Sequence, residues 1–310
     1  MKKIISLILV VLCVFSLFAC GDKDSSDVWS KLSHSGKKVD RIKALDYIED
    51  REVSYAESDM AQLESLNAQW FNVDAKYQLK SNTDFYATVS ETIILFEMSG
   101  TIGLFLNGEL AMDVAIVYEE NFEKQSEKID VDEENKVEAH IIVCDGVMYA
   151  DYKTTSRKEG KRETNQVKVM MPIDELNLHD INIGNLDIDN LGQIAFEDFY
   201  GTGVYKLTRT FINIELERKA DFYLSNDKVF LEIDSGYEDD EATSSIFSQL
   251  EVEFVSQSAF VKALRYYNNT KSNIHIDKYL SECDTKIGFI IAQCEAKTII
   301  APDTKGYEQA

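Results

Sequence analysis

The sequence predicts an α+β fold in which a large antiparallel β-sheet, built as a β-meander, is packed by a few helices. From about residue 71 the chain is rich in alternating Thr, Val, Ile, Tyr and Phe, which favours strands. Asn107-Gly108 and Asp145-Gly146 each separate two such runs, and both dipeptides suit a tight hairpin turn. The chain has only two prolines, as long uninterrupted strands require.

Helices are predicted where apolar residues recur at the spacing of one helical face. This pattern occurs at residues 39–48, 60–70 and 258–267. We expect the first two helices to pack on the sheet of their own domain. Residues 172–192 break the strand pattern, and they either hold a short helix over the sheet or join two half-sheets.

The strands are predicted to have one apolar face. Met112, Val114 and Ile116 alternate with smaller or charged residues, so they share a face of their strand. The second half of the chain repeats this alternation, and the residues we expect on the apolar side of both halves are Met112, Val114, Ile116, Phe211, Ile214, Leu216, Leu231 and Ile233. These side chains are either ligand-facing or ordinary core.

The first twenty-one residues have the pattern of an export signal. A short positive start precedes an apolar run over residues 4–18, which is shorter than the roughly 20 residues of a membrane-spanning helix. Leu17, Ala19 and Cys20 resemble the lipobox of bacterial lipoproteins, although Phe18 is bulkier than the residue usual there. This resemblance implies cleavage before Cys20 and acylation of its sulfur. An ordinary secretory signal cut after Ala19 is the alternative.

The chain is divided accordingly into four segments. Residues 1–19 are the signal peptide, and residues 20–38 contain the lipidated cysteine and a polar tether. Residues 39–300 form the β-rich domain that binds a ligand or partner, and residues 301–310 are expected to fray. Two or more acyl chains would anchor the protein firmly to a membrane, facing outside the cytoplasm.

The net charge of the chain limits the classes of partner that it can bind. The formal net charge is −23, from 55 acidic and 32 basic side chains. Such a surface is repelled by phosphate backbones, so nucleic acid is excluded, whereas basic proteins and cations are attracted.

Cysteine and histidine usage gives few candidate sites. If Cys13 leaves with the signal and Cys20 is acylated, three thiols remain, and Cys283 and Cys294 are spaced for a possible disulfide. The four histidines are scattered, so no zinc site or other cofactor is predicted.

One acidic segment partly imitates a calcium-binding loop. Asp187, Asp189 and Asp198 fall at its first, third and twelfth positions, with a glycine at the sixth. Leu191 occupies a ligand position, however, and Asp198 is shorter than the usual Glu. An ordinary acidic turn is therefore the favoured interpretation.

Catalysis is not predicted. The sequence contains no Gly-x-Ser-x-Gly elbow, Ser-x-x-Lys, His-Glu-x-x-His or glycine-rich phosphate loop. Carboxylates are so numerous that a glycosidase-like pair would not stand out from the sequence.

The combination of lipobox, tether, early helices and long meander resembles lipoprotein carriers and sensors of the LolA and LppX type. The hairpin at residues 143–152, with its Asp145-Gly146 turn, most invites the comparison. The resemblance implies that the predicted sheet is a large curved antiparallel β-sheet, half-barrel-like in shape, that holds a lipid in an apolar concavity.

The leading hypothesis is therefore a membrane-anchored, non-catalytic lipoprotein that binds or senses a lipid or other apolar ligand. A surface adhesion or assembly protein that docks a basic partner through its acidic exterior is the alternative. An enzyme acting on cell-wall polymer is the third.

Overall fold

The computed structural model describes most of the chain after residue 29. The residues described are 30–34, 36–58, 68–105, 109–127, 130–173, 203–209, 212–238, 240–255 and 261–309. Within them lie one helix, α1 (Arg41–Ser58), and fourteen strands. The strands are β1 (Lys37–Val39), β2 (Ala68–Phe85), β3 (Thr88–Phe105), β4 (Leu110–Gln125), β5 (Asp130–Cys144), β6 (Val147–Lys158), β7 (Lys161–Pro172), β8 (Gly203–Arg209), β9 (Ile212–Ser225), β10 (Lys228–Glu238), β11 (Ala242–Phe254), β12 (Val261–Ile276), β13 (Tyr279–Cys294) and β14 (Glu308–Gln309).

All fourteen strands belong to one sheet made from two antiparallel meanders. Strands β2 to β7 pair in sequence order, and so do β8 to β13. The meanders join because β13 pairs with β2, which places the last long strand beside the first. At the edges, β1 pairs with β9, and β14 runs parallel to β7. The longest strands have 18 residues and extend about 60 Å.

The two faces of this sheet differ in chemistry because the pairing register keeps like residues in rows. One row contains Ile291, Val73, Gly100, Val114, Ile141, Ala150 and Val169. The opposite face carries the row Lys76, Glu97, Val117, Glu138, Lys153 and Gln166. We call the face that bears Val73 the apolar face and the face that bears Lys76 the charged face.

Two large clusters of buried residues lie on the apolar face. The first spans β13, β2, β3 and β4 and consists of Phe71, Val73, Ala75, Phe96, Met98, Val114 and Ile291. The second lies on β9 and β10, where Ala44 of α1 packs against Phe222, Leu231 and Ile233. The hydroxyl of Tyr47 also donates to the carbonyl of Asn226 at 2.7 Å, which fixes the helix over this end of the sheet.

The charged face of β9 to β11 is covered by the segment that precedes β1. The His34 ring lies 3.8 Å from that of Tyr223, and the Leu32 amide donates to Oε1 of Gln249 at 2.7 Å. Lys31 Nζ lies 4.0 Å from the centre of the Phe247 ring. This part of the sheet is therefore buried on both faces.

The segment after β13 crosses the charged face in the other half. Lys297 Nζ donates to Asn72 Oδ1 at 3.0 Å and to Thr101 Oγ1 at 2.6 Å. Further on, the Tyr307 ring lies 5.8 Å from that of Tyr149, and Glu308 pairs with Val169. The C-terminal residues predicted to fray thus include a short strand, β14.

The predicted α+β class, with a few packing helices, is wrong. The described residues are nearly all β, with α1 alone helical. Residues 261–267 belong to β12, and Trp70 lies in β2. The pattern at residues 258–267 predicted a helix because this strand is partly buried on both faces, so its apolar residues do not alternate. Ala263 and Tyr267 are buried on the charged face, and Leu264 lies on the apolar face.

The Cys283–Cys294 disulfide that the sequence left possible is not formed. Both residues lie on β13, eleven positions apart, which corresponds to about 36 Å along a strand. A disulfide requires Cα atoms less than about 7 Å apart. Both thiols are free, and so is that of Cys144.

Candidate ligand-binding face

The predicted ligand-facing residues of β4 lie together on the apolar face. Met112 and Ile116 are partly buried and pack against the first cluster, whereas Val114 is only 2% exposed and belongs to its core. Val114 faces Gly100 across the β3–β4 ladder, where the absence of a side chain makes room for it. Met112 and Ile116 are therefore accessible to a ligand, and Val114 supports them.

The accessible apolar surface continues from β4 across β5, β6 and β7. In these strands the residues in register with Met112, Val114 and Ile116 are partly exposed, apart from the buried Val143. Val137, which is in register with Tyr118, extends this surface by one row. Its other members are Ala139, Ile141, Met148, Ala150, Tyr152, Val167, Val169 and Met171. We call it, together with Met112 and Ile116, the apolar shelf.

The predicted residues of the second half do not join the shelf. Leu231 and Ile233 lie on the same face, but they are packed beneath α1 at 1% and 2% exposure. Ile214 and Leu216 lie in β9. Phe211 lies outside the described residues. The structure thus brings together the predicted residues of β4 and places Leu231 and Ile233 in a separate core.

The charged face behind the shelf is a ladder of cross-strand ion pairs. Glu138 accepts from Lys153 at 2.9 Å, and the hydrogen bond from this lysine holds the pKa of Glu138 below its usual range. Lys168 lies 2.7 Å from Asp151, and hydrogen bonds from Gln166 and Lys168 lower the pKa of that carboxyl. The His140 ring lies 2.7 Å from Asp113. These ion pairs make this side of β4 to β7 polar, and the shelf lies on the other side.

A shallow depression of about 320 Å³ lies near one end of the charged face. It is lined by Glu91, Ile93, Asn121, Glu123, Asp132, Glu134 and Arg157. Arg157 bonds to Asp132 at 3.0 Å and to Glu134 at 3.2 Å, so one cation faces four carboxylates. The depression is thus acidic, as the composition predicts for a surface that attracts basic partners.

Sequence reasoning missed an exposed aromatic group at the β2–β3 turn. The Phe85 ring contacts the ring of Tyr86 and that of Tyr279 in the neighbouring β12–β13 hairpin. Tyr86 and Ala87 form this turn in the left-handed conformation, where Asn and Gly are the usual residues. Because neither residue is typical of such a turn, the sequence did not indicate it. No local pattern marked the end of this strand.

Several predictions fall on residues outside those described. Leu17, Ala19 and Cys20 of the predicted lipobox are among them, and so are Asp187, Asp189 and Asp198 of the calcium-like loop. In the part of the chain that the structure describes, no group of three or more acidic, histidine or cysteine side chains is arranged to hold a metal ion. The helix present there is not long and apolar enough to cross a membrane.

Comparison with known proteins assigns no family to the chain. No family model matches it, and neither does any curated protein. Among solved structures, it is similar to the translocator domain of the autotransporter NalP from Neisseria meningitidis, with 9% identity, a TM-score of 0.20, and coverage of 82% of this chain and 97% of that one. The transport unit of the autotransporter AIDA-I from Escherichia coli gives 6% identity and a TM-score of 0.22, with 82% and 97% covered.

A third structure, OccK7 (OpdD) from Pseudomonas aeruginosa, has 5% identity and a TM-score of 0.20, with coverage of 73% of this chain and 99% of that one. Similarities at this level do not establish a shared fold. The functional argument therefore rests on the residues of this chain.

Proposed function

We propose that the chain is a lipoprotein held outside the cytoplasm by acyl chains on Cys20, and that it binds a lipid or other apolar ligand on its apolar shelf. The observation that carries the ligand proposal is the shelf itself, a set of partly exposed apolar side chains on four adjacent strands. The lipobox carries the anchor. No catalytic step is part of the proposal.

The shelf suits an elongated apolar ligand. Its rows run across four strands, and one of them contains Ile116, Tyr152 and Val167. Together the rows form a continuous apolar surface. Neighbouring strands lie about 4.8 Å apart, so the surface spans about 15 Å. A chain that buries ten methylenes there would gain about 8 kcal/mol, from which the cost of ordering the ligand must be subtracted.

The test is mass spectrometry of an organic extract of the full-length protein, with lipid counted per protein. The test variant carries Ile141→Thr and Val167→Thr, which keep the β-branched shape while adding hydroxyls to the shelf. The control carries Lys153→Thr on the opposite face of β6. Because all three proteins are purified from the same membranes, carried-over lipid is the same in each.

We expect a stoichiometric lipid in the wild type and in the control, and about a tenfold loss in the double variant, corresponding to about 1.4 kcal/mol. Equal lipid content in the double variant and the control would contradict binding on the shelf. A protein that yields no lipid above background would contradict the ligand proposal as a whole.

The acidic depression supports a second candidate, the docking of a basic protein partner. Glu91 and Glu123 line it without an ion pair to Arg157, whose bonds go to Asp132 and Glu134. Binding of a lysine-rich peptide should then weaken steeply with salt, since surface charges are screened beyond about 8 Å at physiological ionic strength. The double variant Glu91→Gln with Glu123→Gln should also bind the peptide more weakly than the wild type. Glu138→Gln, on the same face outside the depression, should bind it as the wild type does.

A further inference from the structure

The end of the sheet that carries the β2–β3 turn is apolar on both faces. Of the six large hydrophobic side chains that are exposed among the described residues, four lie there, with exposures of 52% for Phe85, 63% for Tyr86, 50% for Val89 and 36% for Leu280. We call these four residues, with Tyr279, the aromatic tip.

The two faces merge at the tip because of the register of its last two rows. Phe85 pairs with Tyr279, and both lie on the apolar face. In the next row Asp84 pairs with Leu280 and with Val89, and these two apolar residues lie on the charged face. An apolar perimeter therefore surrounds the projecting turn. If the tip packed against the surface of a single protein partner, apolar residues would be needed on only one face of the sheet.

The turn holds its rings outward in a conformation that is unfavourable for its residues. Tyr86 has φ of 50° and Ala87 has φ of 62°, and non-glycine residues rarely adopt such values. The Tyr86 amide donates to the Lys278 carbonyl at 3.4 Å, and the Phe85 and Tyr86 rings meet edge to face at 4.5 Å. Asn-Gly would form the same turn with less strain, but it would remove the exposed ring.

We propose that the aromatic tip inserts into the interfacial region of a phospholipid bilayer, and the proposal rests on the membrane attachment stated above. Phe and Tyr rings suit this region because their bodies are apolar and the Tyr hydroxyl is polar. Lys278, whose Nζ lies 5.4 Å from the centre of the Tyr86 ring, can reach the phosphates while its stem stays among apolar groups. Since Asp84 and Asp277 flank the tip, a zwitterionic surface fits better than an anionic one.

The chain between the proposed anchor and the sheet is long enough for this contact. The Leu32 amide donates to the side chain of Gln249 in β11. Gln249 pairs with Tyr267 of β12, which pairs with Gly288 of β13, so Gln249 and Gly288 lie in the same cross-strand row. Gly288 is nine residues from Tyr279 in β13, or about 30 Å from the tip. Cys20 is twelve residues from Leu32, and that length of chain spans up to about 40 Å when extended. The anchor and the tip can therefore meet the same membrane.

The experiment uses the full-length protein with phosphatidylcholine vesicles in excess, made with or without brominated acyl chains. Phe85→Trp reports on the tip, and Ile300→Trp reports on an exposed apolar position in the segment that follows β13, at the other end of the sheet. The signal is the bromine-dependent loss of tryptophan fluorescence above that of the wild type. Bromine quenches only at short range, so it distinguishes insertion from mere attachment.

We expect about a twofold loss of emission at position 85 and little change at position 300, because interfacial insertion reaches only about 5–10 Å into the headgroup and acyl boundary. Adding Tyr86→Asn with Ala87→Gly to the Phe85→Trp protein should abolish most of the quenching while thermal stability is kept or raised. Equal quenching at the two positions would overturn the proposal, and so would quenching at position 85 that survives the turn replacement.

Mass spectrometry of the Cys20 peptide separates this proposal from the anchor. An unmodified Cys20 together with quenching at position 85 overturns the anchor and supports the tip. An acylated Cys20 with no quenching at position 85 overturns the tip and leaves the anchor in place. Lipid bound to the shelf is read from the organic extract and affects neither result.

Discussion

Val114 occupies the space that a side chain at Gly100 would need. The two residues face each other across the β3–β4 ladder, and a Cβ at position 100 would lie 2.7 Å from Cα of Val114 and 2.2 Å from the carbonyl oxygen of Asp113. Both of these contacts are with backbone, which cannot rotate away. This close approach lies in the middle of the first buried cluster, directly beside the shelf.

Gly100→Ala should therefore destabilise the protein by about 3 kcal/mol, at the upper end of the cost of overpacking a core. The matched control is Gly236→Ala in β10, where a Cβ would meet only the Ser244 carbonyl oxygen, at 3.8 Å. We expect the control to change stability by less than about 0.5 kcal/mol. Denaturant unfolding of both variants is the measurement, and equal midpoints would contradict the close approach.

The Asp145-Gly146 turn should depend on the glycine for conformational reasons alone. Gly146 has φ of 74°, and nothing lies within 4 Å of a Cβ built on it. Gly146→Ala should thus cost about 1 kcal/mol through backbone strain, without any clash. Gly146→Asn should cost less, since Asn tolerates the left-handed region. Thermal unfolding would rank the three proteins, and an Ala variant as stable as wild type would contradict the turn geometry.

Lys297 should hold the C-terminal segment to the charged face. Its Nζ donates to Asn72 Oδ1 and Thr101 Oγ1, and Thr101 is buried. Lys297→Met should release residues 295–309, increase protease cleavage there several-fold, and lower global stability by about 1 kcal/mol.

The control for this prediction is Lys305→Met, at an exposed position in the same segment. Limited proteolysis followed by mass spectrometry locates the cleavage sites. If the two variants are cleaved at the same rate, the hydrogen bonds of Lys297 do not hold the segment.

The stability of the protein should fall in acid partly through Asp151. Hydrogen bonds from Gln166 and Lys168 lower the pKa of this carboxyl in the folded state. A lowered folded pKa stabilises the protein above the unfolded value of about 3.9, and this stabilisation is lost as the pH falls through the folded value. Asp151→Asn should flatten that part of the dependence of unfolding free energy on pH.

Glu163→Gln in β7 is the control for the acid titration, because Glu163 is exposed, whereas Gln166 and Lys168 donate to Asp151. Urea unfolding at several pH values between about 2 and 6 gives the slope. An unchanged slope in the Asp151→Asn protein would contradict the assigned hydrogen bonds.

Local sequence patterns predicted parts of the first meander. Alternation around Met112 and Ile116 predicted β4 and its apolar side, and Asp145-Gly146 predicted the β5–β6 hairpin. The same reasoning failed where a segment is buried on both faces, as in β12, because the alternation is lost there. It also misplaced Leu231 and Ile233, since alternation shows which residues share a face but not what covers that face.

The sequence by itself determined the tight Asp145-Gly146 turn and the apolar side of β4, because each depends on residues close together in the chain. Only the tertiary structure decided that β13 pairs with β2, since edge strands offer the same backbone groups to any partner and about 200 residues separate Tyr279 from Phe85. That pairing joins two meanders into one sheet, forms the first cluster from both, and brings two hairpin turns together as the aromatic tip.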